Sequence, residues 1–322
     1  MALFNFIVKR VITSIGLLFA IVVTNFVIFR VAHPDPAVLL GQAQLLPAQY
    51  EEIRISFGLD KPLWEQFILY IKNVFTGNWG ISFYTRRPVI VEIGDRLINT
   101  VTLVTPSVFI SATVGLLLGI WVAAKQRFRS SMTITSTGII LYALPVFWLG
   151  ILFLIFFARI LGLFPVGGTT STPPPTEIGK YILDYVHHLA LPLIVLILNG
   201  FGGSLLIVRA SAIEQLQQDY VGTLRAKGLA EKDILLKHIL RNSSLPLISY
   251  AAISFSYILT GSLLAEIVFG WNGMGRLLFN SALNADFPNL QAIFFLTALM
   301  VIIANLIADL LYAVVDPRIR IR

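Results

Sequence analysis

Six long apolar runs divide this chain, at roughly 11–32, 98–124, 132–158, 188–208, 247–269 and 290–315. Each reaches the ~20 residues that an α-helix needs to cross a hydrocarbon core. Gly and Pro inside several runs fit this pattern, because membrane helices tolerate both better than soluble ones do. The pattern predicts an all-α integral membrane protein with six transmembrane helices.

Between the fourth and fifth runs lies a polar stretch, residues 209–245, which carries six of the 24 Lys and Arg residues. A turn between neighbouring spans needs only a few residues, so this one has room for two helices and a joint. Glu214, Gln218 and Arg225 are expected on a helix that continues the fourth run. Gly228 suits the left-handed position that ends one helix and lets another begin. Beyond it, Asp233 and Lys237 stand four apart in the favourable order. Leu235, Leu236, Ile239 and Leu240 form an apolar stripe, and Pro246 suits the first turn of the fifth span. A solvated hairpin without special role is the plain alternative. Leu229, apolar and beside an exposed joint, argues instead for docking onto something outside the membrane.

Residues 33–97 make the one substantial extracytoplasmic region, with Pro47 placed to start a short helix and Gly58 to end one. Trp64, Phe67, Ile68, Ile71, Val74 and Phe75 recur at helical spacing opposite Glu65, Gln66, Lys72 and Asn73, and Gly77 stops the pattern. Such a helix either lies in the membrane interface or packs on the spans below it. Segment 160–187, with Gly167-Gly168 and Pro173-Pro174-Pro175, reads as an extended loop and a candidate partner contact. Segment 270–289 opens with a GWNGMG turn. With no soluble domain and no internal repeat, residues 1–322 read as one transmembrane domain, in which 33–97 and 209–245 are its external and cytoplasmic elaborations.

Composition agrees: 13% of residues are charged, against ~25% in soluble domains, and mean hydropathy is +0.82. The net charge of +7 is explained by topology. Lys9, Arg10, Lys125, Arg127, Arg129, the basic residues of 209–245, and Arg318, Arg320 and Arg322 all fall on one side of a six-span arrangement. The opposite short connections hold only Arg159, Lys180 and Arg276. By the positive-inside rule both termini are cytoplasmic, and no nucleic-acid partner is implied. The first run is too long for a signal-peptide core and reads as an uncleaved anchor. The absence of cysteine excludes disulfides and thiolate metal sites. There is no G-x-x-x-x-G-K-[ST] phosphate loop, no H-E-x-x-H and no G-x-S-x-G.

Three polar residues inside apolar runs are candidates for a pore or gate: Glu266 near the outer end of the fifth, and Asn305 and Asp309 on one face of the sixth. An ionisable group at mid-membrane costs ~2.5–3.5 kcal/mol by insertion scales, so it faces a partner or a water-filled path. The structural alternatives are that Glu266 bonds the GWNGMG turn and that Asp309 pairs with a basic group. A proton-coupled transporter using Glu266 or Asp309 as relay is the rival class, but the paired broken helices expected of such proteins are not evident. An enzyme or scaffold lacks any catalytic constellation. Gly115 and Gly119 form a small-xxx-small pair suited to close helix packing. His187-His188 reads as an interfacial pair. Tyr142, Pro145, Phe147 and Trp148 either line a path or fill the bundle.

The segment DYVGTLRAKGLAEKDILLKHILRNSSLP, Asp219 to Pro246, resembles the cytoplasmic "EAA" loop of ABC importer permeases, in the form found in the dipeptide/oligopeptide/nickel branch. GLDKPL (58–63), GNWGIS (77–82), RRPV (86–89), EIVFGWNGMGRLL (266–278), DFPNLQ (286–291) and NLIADLLYAVVDPRIR (305–320) resemble the same branch in order, nearly end to end. The resemblance implies a type I ABC importer permease fold with cytoplasmic coupling helices, and a "B"-type subunit in the inner membrane of a prokaryote. It also implies partners: a second permease, two cytoplasmic ATPase subunits and an extracytoplasmic binding protein. ATP and Mg would be bound by the ATPases; this chain would hold no cofactor and catalyse nothing. Arg225, Ala226, Lys227, Gly228, Leu229 and Glu231 would form the contact with the motor. Short peptides are the expected cargo, with nickel chelates and oligosaccharides as alternatives. Three departures stand out: Gly222-Thr223-Leu224 at the positions that name the loop, His33-Pro34-Asp35-Pro36 where PGDP is usual, and Asn78 where Asp is common.

Overall fold

The computed structural model describes residues 2–31, 55, 60–256 and 262–315. The turns expected at Pro47 and Gly58, the His33–Pro36 segment and Arg318, Arg320 and Arg322 lie outside the described residues. Among the described residues the regular elements are helical, with a lone bridge between Ile81 and Pro88.

Helix α1 (Ala2–Phe26) runs on as a π-helical turn, Val27–Val31. Helix α2 (Leu63–Thr76) stops at Gly77, whose φ of 73° is the left-handed cap that the pattern anticipated. Helix α2 packs on the neighbouring helices. Tyr70 and Val74, flanked by Phe67 and Ile71, pack with Val22 and Phe26 of α1 and with Phe295. Trp64, Ile68 and Phe75 stay exposed on another side, the apolar flank that an interfacial helix presents to lipid.

Helices α3 (Val89–Ala124) and α6 (Ile178–Leu216) have 36 and 39 residues, about 54 and 58 Å at ~1.5 Å per residue. They share the most extensive contact in the fold. Glycine makes it possible: a β-carbon on Gly115 would overlap the Ser204 side chain and reach within 2.9 Å of the Leu205 nitrogen. One on Gly119 would come within 2.9 Å of the Val208 side chain. Both helices continue unbroken through a proline, Pro106 and Pro192.

The third apolar run is not one straight span. Helix α4 (Arg129–Ala143) and helix α5 (Val146–Phe153), which continues as a π-helical stretch Leu154–Ile160, are bent by 103° across Leu144-Pro145. Proline lacks the N–H that would bond the Leu141 carbonyl, and it forces Leu144 out of helical geometry to ψ 132°. Asn199 of α6 relieves the break, its Nδ2 donating to the carbonyls of Leu141 and Leu144 at 3.1 Å each.

The polar stretch departs from expectation in three ways. Helix α6 does not run through Arg225; it ends at Leu216, and a separate helix α7 (Asp219–Ala226) follows after Gln218 turns extended. The turn is what buries Val221 completely. It is tied by Tyr220 Oη donating to Gln215 Oε1 at 3.0 Å and by Asn242 Nδ2 at 3.3 Å from the same oxygen. Next, helix α8 (Glu231–Asp233) passes through a π-helical stretch, Ile234–Ile239, into helix α9 (Leu240–Ser256). The extra residue in a π turn moves the apolar stripe, so Ile234 and Ile239 are fully buried while Leu236 is 47% exposed. Finally, Pro246 lies inside α9 rather than at a helix start.

Helix α10 (Leu263–Val268), helix α11 (Met274–Leu283) and helix α12 (Phe287–Val315) complete the chain, with α12 packed on α9 and α1. Among the described residues, four helices are long and apolar enough to cross a membrane, or five when the bent α4–α5 pair counts as one span. The fifth expected run falls on α9 and α10, and residues 257–261 between them lie outside the described set.

Replacing Gly115 with Leu is expected to force α3 and α6 apart at a cost of about 3 kcal/mol or more. Gly94→Ala, where nothing lies within 4 Å, serves as the control and should leave stability equal or slightly raised. Thermal melting of the detergent-solubilised protein, followed by size-exclusion chromatography, reads the difference.

Candidate functional site

Helices α7 and α8 meet at the tip of the polar stretch. Helix α7 ends with Gly228 at φ 78°. The Gly228 N–H donates to the Arg225 carbonyl (2.9 Å) and the Leu229 N–H to the Leu224 carbonyl (3.2 Å), the paired 5→2 and 6→1 bonds of a Schellman motif. That motif brings its flanking apolar residues together, and Leu224 and Leu229 both pack against one core cluster. Leu229 is therefore half-buried, turned partly inward, rather than fully presented as a docking anchor. No atom lies within 4 Å of a β-carbon built on Gly228, so glycine is required there by its backbone angle and not by crowding.

Arg225 and Glu231 close the joint. Arg225 Nε donates to Glu231 Oε1 at 2.6 Å across the turn, with both side chains about half exposed. This hydrogen bond holds the Glu231 carboxyl below its ordinary range and raises the Arg225 guanidinium further. Because the folded value is lowered, the stabilisation is present above the usual glutamate range and fades as pH falls through the lowered value. Exposure and salt keep it small. Lys237 bonds Asp233 at 2.9 Å in the next turn, as the spacing indicated. What remains outward is a narrow ridge of small residues, Ala226, Gly228 and Ala230, rimmed by Arg225, Lys227, Glu231 and Lys232.

The base of this ridge is firm. Val221, Ile234 and Ile239 are fully buried with Ile120 and Ala123 of α3, Val208 and Ala212 of α6, and Leu247 of α9. The tip therefore shares one core with α3, α6 and α9.

At the other end of α3, Glu266 is completely buried and bonds the GWNGMG turn. It accepts from Thr100 Oγ1 (2.7 Å), Ser262 Oγ (2.8 Å) and the Arg276 N–H (3.0 Å), with the Gly275 N–H also directed at it. Thr100 Oγ1 in turn accepts the Met274 N–H at 2.8 Å. The first N–H groups of α11, which no helix can satisfy internally, are thus capped by two side chains from elsewhere, and a carboxylate at that end is favoured by the helix dipole. Gly273 is obligatory: a β-carbon there would come within 2.5 Å of the Glu266 carboxylate. Trp271 Nε1 donates to the Asn99 carbonyl (2.9 Å), and Asn99 Nδ2 returns to the Asn272 carbonyl (2.8 Å). Asn305 is exposed on α12 and stands apart from this network, and the Asp309 side chain lies outside the described residues.

A second buried polar group escaped the sequence reading. Asn289 Nδ2 donates to Glu92 Oε2 (2.7 Å) and Asp286 Oδ2 (2.9 Å), while Asp286 Oδ1 accepts the Phe83 N–H (3.0 Å). It ties the segment before α3 to the start of α12. In the sequence, Asp286 and Asn289 fall in the DFPNLQ piece, while Glu92 lies 197 positions from Asn289 and outside every such piece. His187 and His188 bond the backbone carbonyls of Leu163 (2.9 Å) and Asp184 (2.8 Å).

A helical membrane subunit with an exposed, rigidly jointed hairpin at one end is the class that this fold and site define. The chain belongs to the family of binding-protein-dependent transport system inner membrane components, whose model matches residues 115–321. The N-terminal model of the same membrane components matches residues 3–104. Relatives align over nearly their whole length. The oligopeptide transport system permease protein AppB of Bacillus subtilis is 35% identical over 315 residues, covering 98% of each chain. The glutathione transport system permease protein GsiC of Escherichia coli K12 is 35% identical over 319 residues, 98% of this chain and 99% of that one. The dipeptide transport system permease protein DppB of the same organism is 32% identical over 335 residues, covering 98% of each.

Glu266→Ala is expected to leave the α11 N–H groups and two hydroxyls without partners, at a cost on the order of 3 kcal/mol. Asn305→Ala, on an exposed position, should stay within about 0.5 kcal/mol of the parent. Melting temperatures of the two variants in one detergent give the comparison.

Proposed function

We propose that this chain is one of two pore-forming permeases of an ATP-driven importer for short peptides, and that the ridge from Arg225 to Glu231 is where the motor grips it. The carrying observation is the tip itself. A joint fixed by a Schellman motif and an Arg225–Glu231 bridge stands on a core shared by α3, α6 and α9. Such a ridge suits a groove on a moving partner, and its rigid base converts partner motion into helix motion.

In this reading ATP and Mg belong to two cytoplasmic ATPase subunits, since the chain has no phosphate loop. A second permease completes the pore, and an extracytoplasmic binding protein delivers the cargo. The chain acts as one membrane domain with six spans and both termini cytoplasmic, supported by its six apolar runs and by the basic residues gathered on the side of the tip. Peptides are favoured as cargo because the relatives named above are permeases for oligopeptides, dipeptides and glutathione. Nickel chelates and oligosaccharides are the alternative cargoes. Glu266, with its carboxylate engaged by several donors, acts as a cap on α11 rather than a proton relay.

Gly228→Val places a β-branched residue at φ 78°, which costs on the order of 1–3 kcal/mol locally and misaligns the ridge without disturbing any neighbour. In the reconstituted importer, peptide-stimulated ATP hydrolysis should persist in part while peptide uptake falls sharply. Uptake equal to the parent at equal ATP turnover would defeat the coupling role.

A further inference from the structure

Between α3, α6 and α9 lies a cleft of about 310 Å³. Its polar lining consists of Ser107 and Ser111 of α3, Asn199 and Ser204 of α6, Tyr250 of α9, and Ser262. No Asp, Glu, Lys or Arg lines it among the described residues. Ser107 stands about 27 Å along α3 from Val89 at ~1.5 Å per residue, which is halfway down the helix. Polar side chains at that depth face protein partners or a water-filled path.

The hydrogen bonds of these residues leave acceptors for an occupant. Ser107 and Ser111 donate back to the carbonyls of Val104 (2.7 Å) and Val108 (3.1 Å), a common habit of hydroxyls in membrane helices. Their oxygens keep free lone pairs. Asn199 commits its Nδ2 to the broken α4–α5 joint, so Oδ1 is what it offers the cleft. Ser204 Oγ has no partner although the residue is only 1% exposed. Buried hydroxyls are nearly always bonded; Ser243 Oγ is also without a partner, but Ser204, unlike it, lines a cleft with room for one.

We infer that this cleft is the chain's own share of the passage, and that it touches the cargo's peptide backbone through hydroxyl and amide groups rather than through charge. The inference rests on the importer reading above. Serine and tyrosine hydroxyls both donate and accept, matching backbone N–H and C=O groups whatever the peptide's side chains. Several weak contacts without a fixed charge also let the cargo leave again, as conduction requires.

The chain contains no cysteine, so single thiols report without background. Ser107→Cys and Ser111→Cys are introduced separately into the complete importer in proteoliposomes and exposed to a water-soluble methanethiosulfonate. Ser243→Cys is the control, since that residue is fully buried outside the cleft. The expected result is normal ATP-dependent trialanine uptake before labelling, loss of uptake after it at positions 107 and 111, and slower labelling while trialanine is being transported. The control should show neither effect. Thiols at both cleft positions that react in no nucleotide state, or react without loss of uptake, overturn the cleft assignment. An unlabelled parent complex that takes up no trialanine under ATP defeats instead the peptide-importer reading beneath it.

Discussion

Where α3 and α6 touch, α6 leaves no room for a β-carbon on the glycines of α3: Gly115 lies against Ser204 and Leu205, and Gly119 against Val208. In lipid, apolar burial gives little drive for two helices to associate, so this fit of small residues carries the association. Everything placed at either end of the pair depends on it. At one end, Val208 and Ile120 found the core that supports the tip. At the other, Thr100 of α3 and Trp271 of the GWNGMG turn are joined through Glu266 and Asn99. Two helices over 50 Å long by residue count thus act as a strut between an exposed ridge and a buried, hydrogen-bonded turn.

That strut also explains why polar groups survive inside it. Asn199 satisfies the carbonyls released by the α4–α5 break, and Glu266 satisfies the start of α11. Both side chains answer backbone groups that the bilayer could not. The serines of the mid-depth cleft differ, because their own hydrogen bonds leave oxygens available. Along α3, Glu92 and Thr100 sit in buried side-chain networks, while Ser107 and Ser111 line the cleft.

The parts of this arrangement legible in the sequence are those that depend on residue type alone. Gly77 and Gly228 announce left-handed caps because few other residues accept a positive φ. Gly115 and Gly119 announce close packing, and the EAA-like loop announced where the ridge would be. Breaks that depend on distant partners were hidden. Gln217 and Gln218 carry no turn signal, and the chain turns there because Val221 must be buried and Tyr220 must reach Gln215. A proline alone does not tell the outcome: Pro106, Pro192 and Pro246 are absorbed within helices while Pro145 bends its span. At Pro145 the released carbonyls find Asn199, 55 positions away from Leu144, and no local pattern records that. Glu266 left two readings open in the sequence, and its geometry is that of a helix cap.

The most direct test of the central claim uses a photo-crosslinking or thiol-specific bifunctional reagent on Ala226→Cys, the sole thiol of an otherwise unchanged chain, in native membranes. A covalent adduct between this position and a nucleotide-hydrolysing subunit, identified by mass spectrometry and altered when ATP is trapped with vanadate, is the predicted result. An intact importer that transports peptide yet gives an adduct only with lipid or with a second copy of this chain would contradict it.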